Sequence, residues 1–206
     1  MTAVLTLDVK EYRVPEAAKS ENDELTRRFA AGDERAFNEV VALYQHRLLK
    51  SAQAILGDEH EAMDMVQEMF IKAYFHRTTF RGDSALYTWL YRILYNICIS
   101  TLRRKKILTF ISVNGQEEII EPPSNEPGPL EQITRDEIRH AVNKALEKVP
   151  PRQRMVFVMK QIDGLKHNEI AEIMNISEGA VKASYFHAIQ KLREILSDYG
   201  GEYGLC

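Results

Sequence analysis

Cysteine is scarce: the 206 residues include two, Cys98 inside a helical pattern and Cys206 at the very end. That excludes a disulfide framework and any CxxC metal or redox pair, and leaves Cys98 reading as a small buried hydrophobe. Long apolar runs are missing as well. Nothing near the N-terminus resembles the apolar core of a signal peptide, and no uncharged run of about 18 apolar residues is available to span a bilayer. The expectation is a cytoplasmic chain without membrane insertion. The third absence is an excess of positive charge. Lys and Arg number 27 against 30 Asp and Glu, a net charge of -3, which is the wrong sign for a protein holding DNA unaided through its phosphates. The charge is segregated, with Arg103, Arg104, Lys105 and Lys106 in one run and Glu117, Glu118, Glu121, Glu126 and Glu131 in a stretch without bases. A chain of this kind should bind DNA weakly alone and would need a larger partner to hold it there.

What is present is helical periodicity. Asn22 and Asp23 are positioned to cap a helix carrying Leu25 and Phe29, and the Gly32-Asp33 break precedes another with Phe37, Val40, Val41, Tyr44 and Leu48 at helical spacing. Gly57 suits its C-terminal stop. Asp58 followed by Glu61 resembles a capping box, and Ala62, Met65, Val66, Met69, Phe70 and Ala73 form one apolar stripe. A polar loop from Thr78 to Asp83 then leads to a helix with Leu86, Trp89, Leu90, Ile93, Leu94 and Ile97, ending in the basic run.

The fold expected is all-α, with two small helical domains joined by a flexible linker rich in proline and acids. Residues 1–21 read as an extension, 22–106 as a helical bundle, 107–129 as the linker and 130–206 as a second domain. Pro122, Pro123, Pro127, Gly128 and Pro129 set among acids cannot sustain a helix, and the β-branched alternation of Ile107 to Val113 predicts an extended segment. In the second domain Ile133, Ile138, Val142, Ala145 and Leu146 share helical spacing. Pro150-Pro151 ends that helix and starts the next, which runs from Arg152 to about Ile162 and stops at Asp163-Gly164.

The most informative segment is Lys166 to Leu196. Ile170, Ala171, Ile173 and Met174 make a short amphipathic helix, Asn175-Ile176 a tight turn, and Ser177 a cap for a further helix. Val181, Tyr185, Ala188, Leu192 and Ile195 share one face of that helix, which leaves Gly179, Ala180, Ala183, Phe186, His187 and Gln190 on the other. Small residues at its N-terminal end would let the helix approach a major groove closely, with backbone N–H groups free for a phosphate. An ordinary helical hairpin with a solvated outer face shows the same pattern.

These residues resemble a family. Ala145 to Arg154 (ALEKVPPRQR), Gly164 to Glu172 (GLKHNEIAE) and Ser177 to Lys182 (SEGAVK) are similar to the second domain of extracytoplasmic function (ECF) sigma factors. Asp64 to Tyr74 (DMVQEMFIKAY) and Phe80 to Ile93 (FRGDSALYTWLYRI) are similar to signature stretches of that family's first domain, in the same order. The resemblance implies a dissociable subunit of bacterial core RNA polymerase. Its first domain would dock on the clamp and open the minus-10 element; its second would lie at the flap and read the minus-35 element. Promoter DNA, duplex and single-stranded, and an anti-sigma factor are the other implied partners. No cofactor and no catalysis are expected. Delivery by polymerase also accounts for the absent positive charge.

Residue by residue, the resemblance assigns Asp64, Gln67, Glu68 and Phe70 to polymerase binding, although Phe70 equally fits the core stripe. Arg81, Asp83, Ser84, Tyr87, Trp89, Arg92 and Asn96 are assigned to the minus-10 strand, with Arg103 and Arg104 as phosphate contacts. Unpaired bases stack on aromatic faces and an Asn amide pairs with a base edge, so the residue types suit the task. Trp89, on so apolar a helix, is also a core candidate. Ser177, Glu178, Gly179, Lys182, Ala183, Ser184, Phe186 and His187 are assigned to the minus-35 element. The acidic linker resembles the family's connector near the RNA exit path, and a plain solvated tether has the same composition.

Two other classes share parts of the pattern. A helix-turn-helix regulator could use the C-terminal helices without replacing a sigma subunit. A metal-dependent helical-bundle enzyme could use His60, Asp64 and Glu68, stacked at i, i+4 and i+8, or the Glu137-x-x-His140 pair, although a second such pair is missing.

Overall fold

The computed structural model describes residues 16–113 and 135–203, with side chains described over 23–108 and 141–197. Among the described residues the chain is all helix: α1 (Glu16–Ala30), α2 (Glu34–Leu56), α3 (Glu59–His76), a 3-10 turn (Arg77–Thr79), α4 (Leu86–Val113), α5 (Arg135–Glu147), α6 (Pro151–Gln161), α7 (His167–Met174) and α8 (Glu178–Tyr203). The acidic and proline-rich stretch of the expected linker lies outside the described residues, as do Cys206 and most of the N-terminal extension.

Local chemistry sets most of the boundaries. The Asp33 carboxylate accepts from the N–H of Arg35 and Ala36 to start α2, and Gly57, at φ 78°, ends it in the left-handed conformation that a side chain resists. Asp58 accepts from the Glu61 N–H at 2.8 Å and starts α3. Pro151 sits in the first turn of α6, where its missing N–H costs nothing.

Two expectations differ from the structure. Helix α1 begins at Glu16, so Asn22 and Asp23 lie within it rather than capping it. The Glu-Ala-Ala-Lys stretch ahead of them is made of strong helix formers and carries the helix past the polar pair. Helix α4 continues to Val113 through the β-branched segment expected to be extended. Once a buried helix is nucleated, propagation into a few β-branched residues costs only tenths of a kcal/mol each, roughly, which alternation alone cannot outweigh.

The α2–α3–α4 bundle buries the anticipated stripes, including Val40, Leu48, Met69, Leu90 and Leu94 at 0% exposure. The second bundle centres on Ala145, Leu146, Val149, Phe157, Ala188, Leu192 and Ile195. Both expected helical units are present, but they do not stand apart. A single apolar cluster runs from Phe29 and Leu48 of the first bundle to Met155, Ile170 and Val181 of the second, as α6 packs on α2 and α7 on α4. Arg154, 6% exposed, joins the same seam: its guanidinium donates to the carbonyls of Glu147 and Val149 at the end of α5 and to that of Ile55 on α2. It thereby satisfies helix-end acceptors from both bundles.

Candidate nucleic-acid interface

The outer surface of α3 presents Asp64 and Gln67 to solvent, with Glu68 half-buried and paired to Lys72 at 2.7 Å. Phe70, assigned to the same docking set and equally to the core stripe, takes the core position. It is 9% exposed and its ring meets Phe37 edge-on at 6.4 Å, so it supports the α3 surface from beneath. The i, i+4 repulsion of Asp64 and Glu68 is relieved by Lys72 one turn further on.

After the 3-10 turn, Phe80 folds inward against Trp89 and Phe29, at ring distances of 5.3 and 6.5 Å. This anchor leaves Arg81 and Asp83 exposed at the loop tip and Ser84 half-buried. Gly82 makes the bend with φ 76°. Trp89 is half-buried: one edge packs on Phe29, and the rest lines a groove of about 600 Å³ between α3 and α4. Asn96 and Arg104 line the same groove, with Glu68 and Lys72 on its opposite wall. Asn96 is exposed and lines the groove, and its backbone carbonyl accepts from the Ser100 hydroxyl at 2.7 Å. Arg103 is exposed beside it.

Tyr87 and Arg92 are placed differently. Tyr87 is 8% exposed, and its hydroxyl donates to Asp163 of the second bundle at 2.7 Å. Arg92 donates to both the carbonyl and the carboxylate of Glu172 at 3.0 Å.

At the helix-turn-helix, α7 buries Ile170, Ala171, Ile173 and Met174. The Glu169 carboxylate accepts from the Lys166 N–H at 2.6 Å and closes its N-terminus. Asn175, at φ 53°, makes the turn, and the Ser177 hydroxyl accepts from the Ala180 N–H at 3.2 Å to start α8. Ser177, Glu178, Gly179, Lys182, Ala183, Phe186 and His187 are exposed together on the outer face, with Ser184 half-buried. Phe186 is 58% exposed and its ring stands 5.9 Å from that of His187. A Cβ on Gly179 would meet only Ser177 Oγ at 3.9 Å, so the slimness of α8 there is an open outer surface and not a packing requirement.

Comparison with known proteins decides the family. The Sigma-70 region 2 model matches residues 40–107, and the Sigma-70, region 4 model matches residues 139–192. The RNA polymerase sigma-H factor of Pseudomonas aeruginosa is 33% identical over 183 residues, spanning 86% of this chain and 95% of that protein. The ECF RNA polymerase sigma-E factor of Escherichia coli K12 is 36% identical over 178 residues, spanning 80% and 88%. The chain belongs to the ECF sigma factors. Two solved structures share its fold at 24% identity. One is RpoE of Bartonella quintana, in complex with the anti-sigma factor NepR (TM-score 0.62, 78% of this chain and 96% of that one). The other is CnrH, in complex with the cytosolic domain of CnrY (TM-score 0.65, 86% and 97%).

As an ECF sigma factor the protein directs core RNA polymerase to promoters, and the region 2 match across its first half sets it apart from a regulator that carries only a helix-turn-helix. Among the described residues no group of three or more His, Cys, Asp or Glu is arranged to hold a metal, and no helix is long and apolar enough to cross a membrane. The side chains of Glu137 and His140 lie outside the described residues. The sequence missed Lys72 and His76, which line the groove opposite Asn96. The four-residue steps from Glu68 to Lys72 to His76 put them on one face of α3, a signal that was available.

Proposed function

We propose that this ECF sigma factor divides promoter recognition between residues 22–106 and 130–206, catalyses no reaction of its own, and works in the cytoplasm. Asp64, Gln67 and Glu68 dock on the polymerase clamp, with Phe70 bracing them from the core, and the second domain rests at the flap. The groove between α3 and α4 carries the reading. It gathers an aromatic face, Trp89, an amide, Asn96, and a cation, Arg104, around a space large enough for a base. An unpaired base stacks on an aromatic side chain for about 1–3 kcal/mol, and a side-chain amide pairs with a base edge for about as much. Arg81, Asp83 and Ser84 present the loop to the strand, while Arg103 and Arg104 neutralise phosphates and fix register without reading sequence. Tyr87 and Arg92 join them once uncovered.

The minus-35 element is read by the outer face of α8. Gly179, Ala183 and Ser184 allow close approach to the major groove, Ser177, Glu178 and the first-turn amides orient the helix, and Lys182, Phe186 and His187 reach base edges and backbone. An anti-sigma factor is the expected inhibitory partner, a reading supported by the complex in which RpoE is found with the anti-sigma factor NepR.

The test is transcription in vitro. Core polymerase with this chain is expected to initiate on promoters selected by the reconstituted holoenzyme, and core alone is not. Asn96→Ala should lower open-complex formation roughly 5- to 150-fold, the range that 1–3 kcal/mol represents, with core binding intact. His187→Ala should change minus-35 preference only. Equal activity of Asn96→Ala on all minus-10 variants removes it from the site.

A further inference from the structure

The C-terminal half of α3 leaves two large apolar side chains in solvent. Ile71 and Phe75, one turn apart, are 58% and 72% exposed, and Phe75 is the most exposed large apolar residue among those described. At about 3.6 residues per turn, positions 64, 68, 71 and 75 fall on one face, so the pair continues the surface that Asp64 and Glu68 begin. Exposed side chains of this kind add nothing to folding, and adjacent apolar residues rimmed by polar ones mark a contact surface where scattered single ones do not. The Phe75 ring is also held in place. It meets the Tyr74 ring edge-on at 5.7 Å; Tyr74 is itself fixed by the Phe37 ring at 5.1 Å, by the Arg77 guanidinium 3.8 Å over its face and by its hydroxyl, which donates to Glu34 at 3.3 Å. A ring positioned before its partner arrives loses little freedom on binding, which is the property of an interface anchor.

Two features identify what covers the pair. Neither residue lines the groove between α3 and α4, whose α3 wall is Glu68, Lys72 and His76, so Ile71 and Phe75 face away from the strand-reading surface. The acidic Asp64 on their own face repels a phosphate backbone and suits a basic protein surface. We propose that Ile71 and Phe75 anchor the sigma factor on core polymerase: they fill an apolar hollow of the clamp and supply most of the affinity, while Asp64, Gln67 and Glu68 beside them steer and orient. Buried aromatic anchors dominate the energy of protein interfaces, whereas exposed charges around them set the rate of encounter and its salt response. The proposal rests on the reading of α3 as the docking helix and adds to it the residues that carry the energy.

The test is equilibrium binding of the full chain to core polymerase, read by fluorescence anisotropy of the labelled sigma factor at several salt concentrations. Phe75→Ala is expected to weaken binding about 30-fold, with the salt dependence unchanged. Ile71→Ala should weaken it roughly 5-fold, and Phe75→Leu, which keeps apolar bulk, should recover most of the loss. Asp64→Asn is expected to flatten the salt dependence with a smaller loss of affinity. If Asp64→Asn and Glu68→Gln weaken binding while Phe75→Ala and Ile71→Ala do not, the anchor is overturned and the docking helix stands; if none of the four does, both fall. Core affinity unchanged by Phe75→Ala, with weaker capture of a labelled minus-10 single strand by the holoenzyme or with loss of self-association in sedimentation, moves the pair to that partner and overturns the anchor. Should Phe75→Ala lose helicity by circular dichroism, Ile71→Ala decides between the same outcomes.

Discussion

Cys98 shows what burial does to a single reactive group. It lies on α4 at 0% exposure; burial pushes its thiol up to about 12, with the charges of Glu61 and Glu68 acting in the same direction. The thiolate is the reacting species, so the folded chain should protect it. Iodoacetamide at pH 8 is expected to leave the Cys98 peptide unmodified for hours and to label it fully in guanidinium, as read by peptide mass mapping. Prompt labelling of native protein would show that α4 opens. At this scale the sequence was informative where a side chain's surroundings are local. Cys98 and the α3 stripe, apart from the half-buried Met65, are buried as their helical spacing predicted. Tyr87 was not legible in the same way, because its buried partner, Asp163, lies in the other half of the chain and no helical period connects them.

Among the elements, helices α2 and α3 begin on aspartates whose carboxyls are held below their ordinary value of 3.8, chiefly by the backbone N–H of Arg35 for Asp33 and of Glu61 for Asp58. A depressed carboxyl contributes stability that is complete above the unfolded value and disappears as pH falls through the lower folded one. Thermal melting followed by circular dichroism should therefore show a steepening loss of stability below about pH 3.8. The doubly substituted Asp33→Asn, Asp58→Asn chain should lose less over that interval, since Asn caps a helix comparably without titrating. Parallel curves would remove the caps as a source of acid lability. Asp58 was visible beforehand as a cap, Gly32-Asp33 as a break ahead of an apolar stripe, and Gly57 as the stop behind one. The true start of α1 and the end of α4 were not. Helix ends without a cap or a breaker are set by propagation from a packed centre, and the packing involves residues distant in sequence.

The whole molecule differs from the sequence picture in one respect that matters for control. The helical units, their order and the outer face of α8 follow from periodicity and motif, whereas the seam between them depends on groups far apart in the chain, Asp163 with Ser51 and Arg154 with Ile55. That seam should respond to protons. Burial raises the Asp163 carboxyl above 3.8, opposed by hydrogen bonds from Tyr87 and Ser51 and by the Arg47 charge, while Tyr87 and Tyr91 are themselves pushed up and stay neutral. An acid with a raised closed-state value binds its proton more tightly closed than open. Its contribution to closure is complete below the solvated value and is lost as pH rises through the raised one. As pH rises above about 3.8, the open form is thus expected to be favoured, read as a growing radius of gyration. Asp163→Asn keeps an oxygen to accept from Tyr87 and Ser51 and cannot titrate, so its scattering should stay compact and flat over the same range. If the two chains expand in parallel, the proton responsible belongs to another group, and Asp163 holds the bundles together through its hydrogen bonds alone.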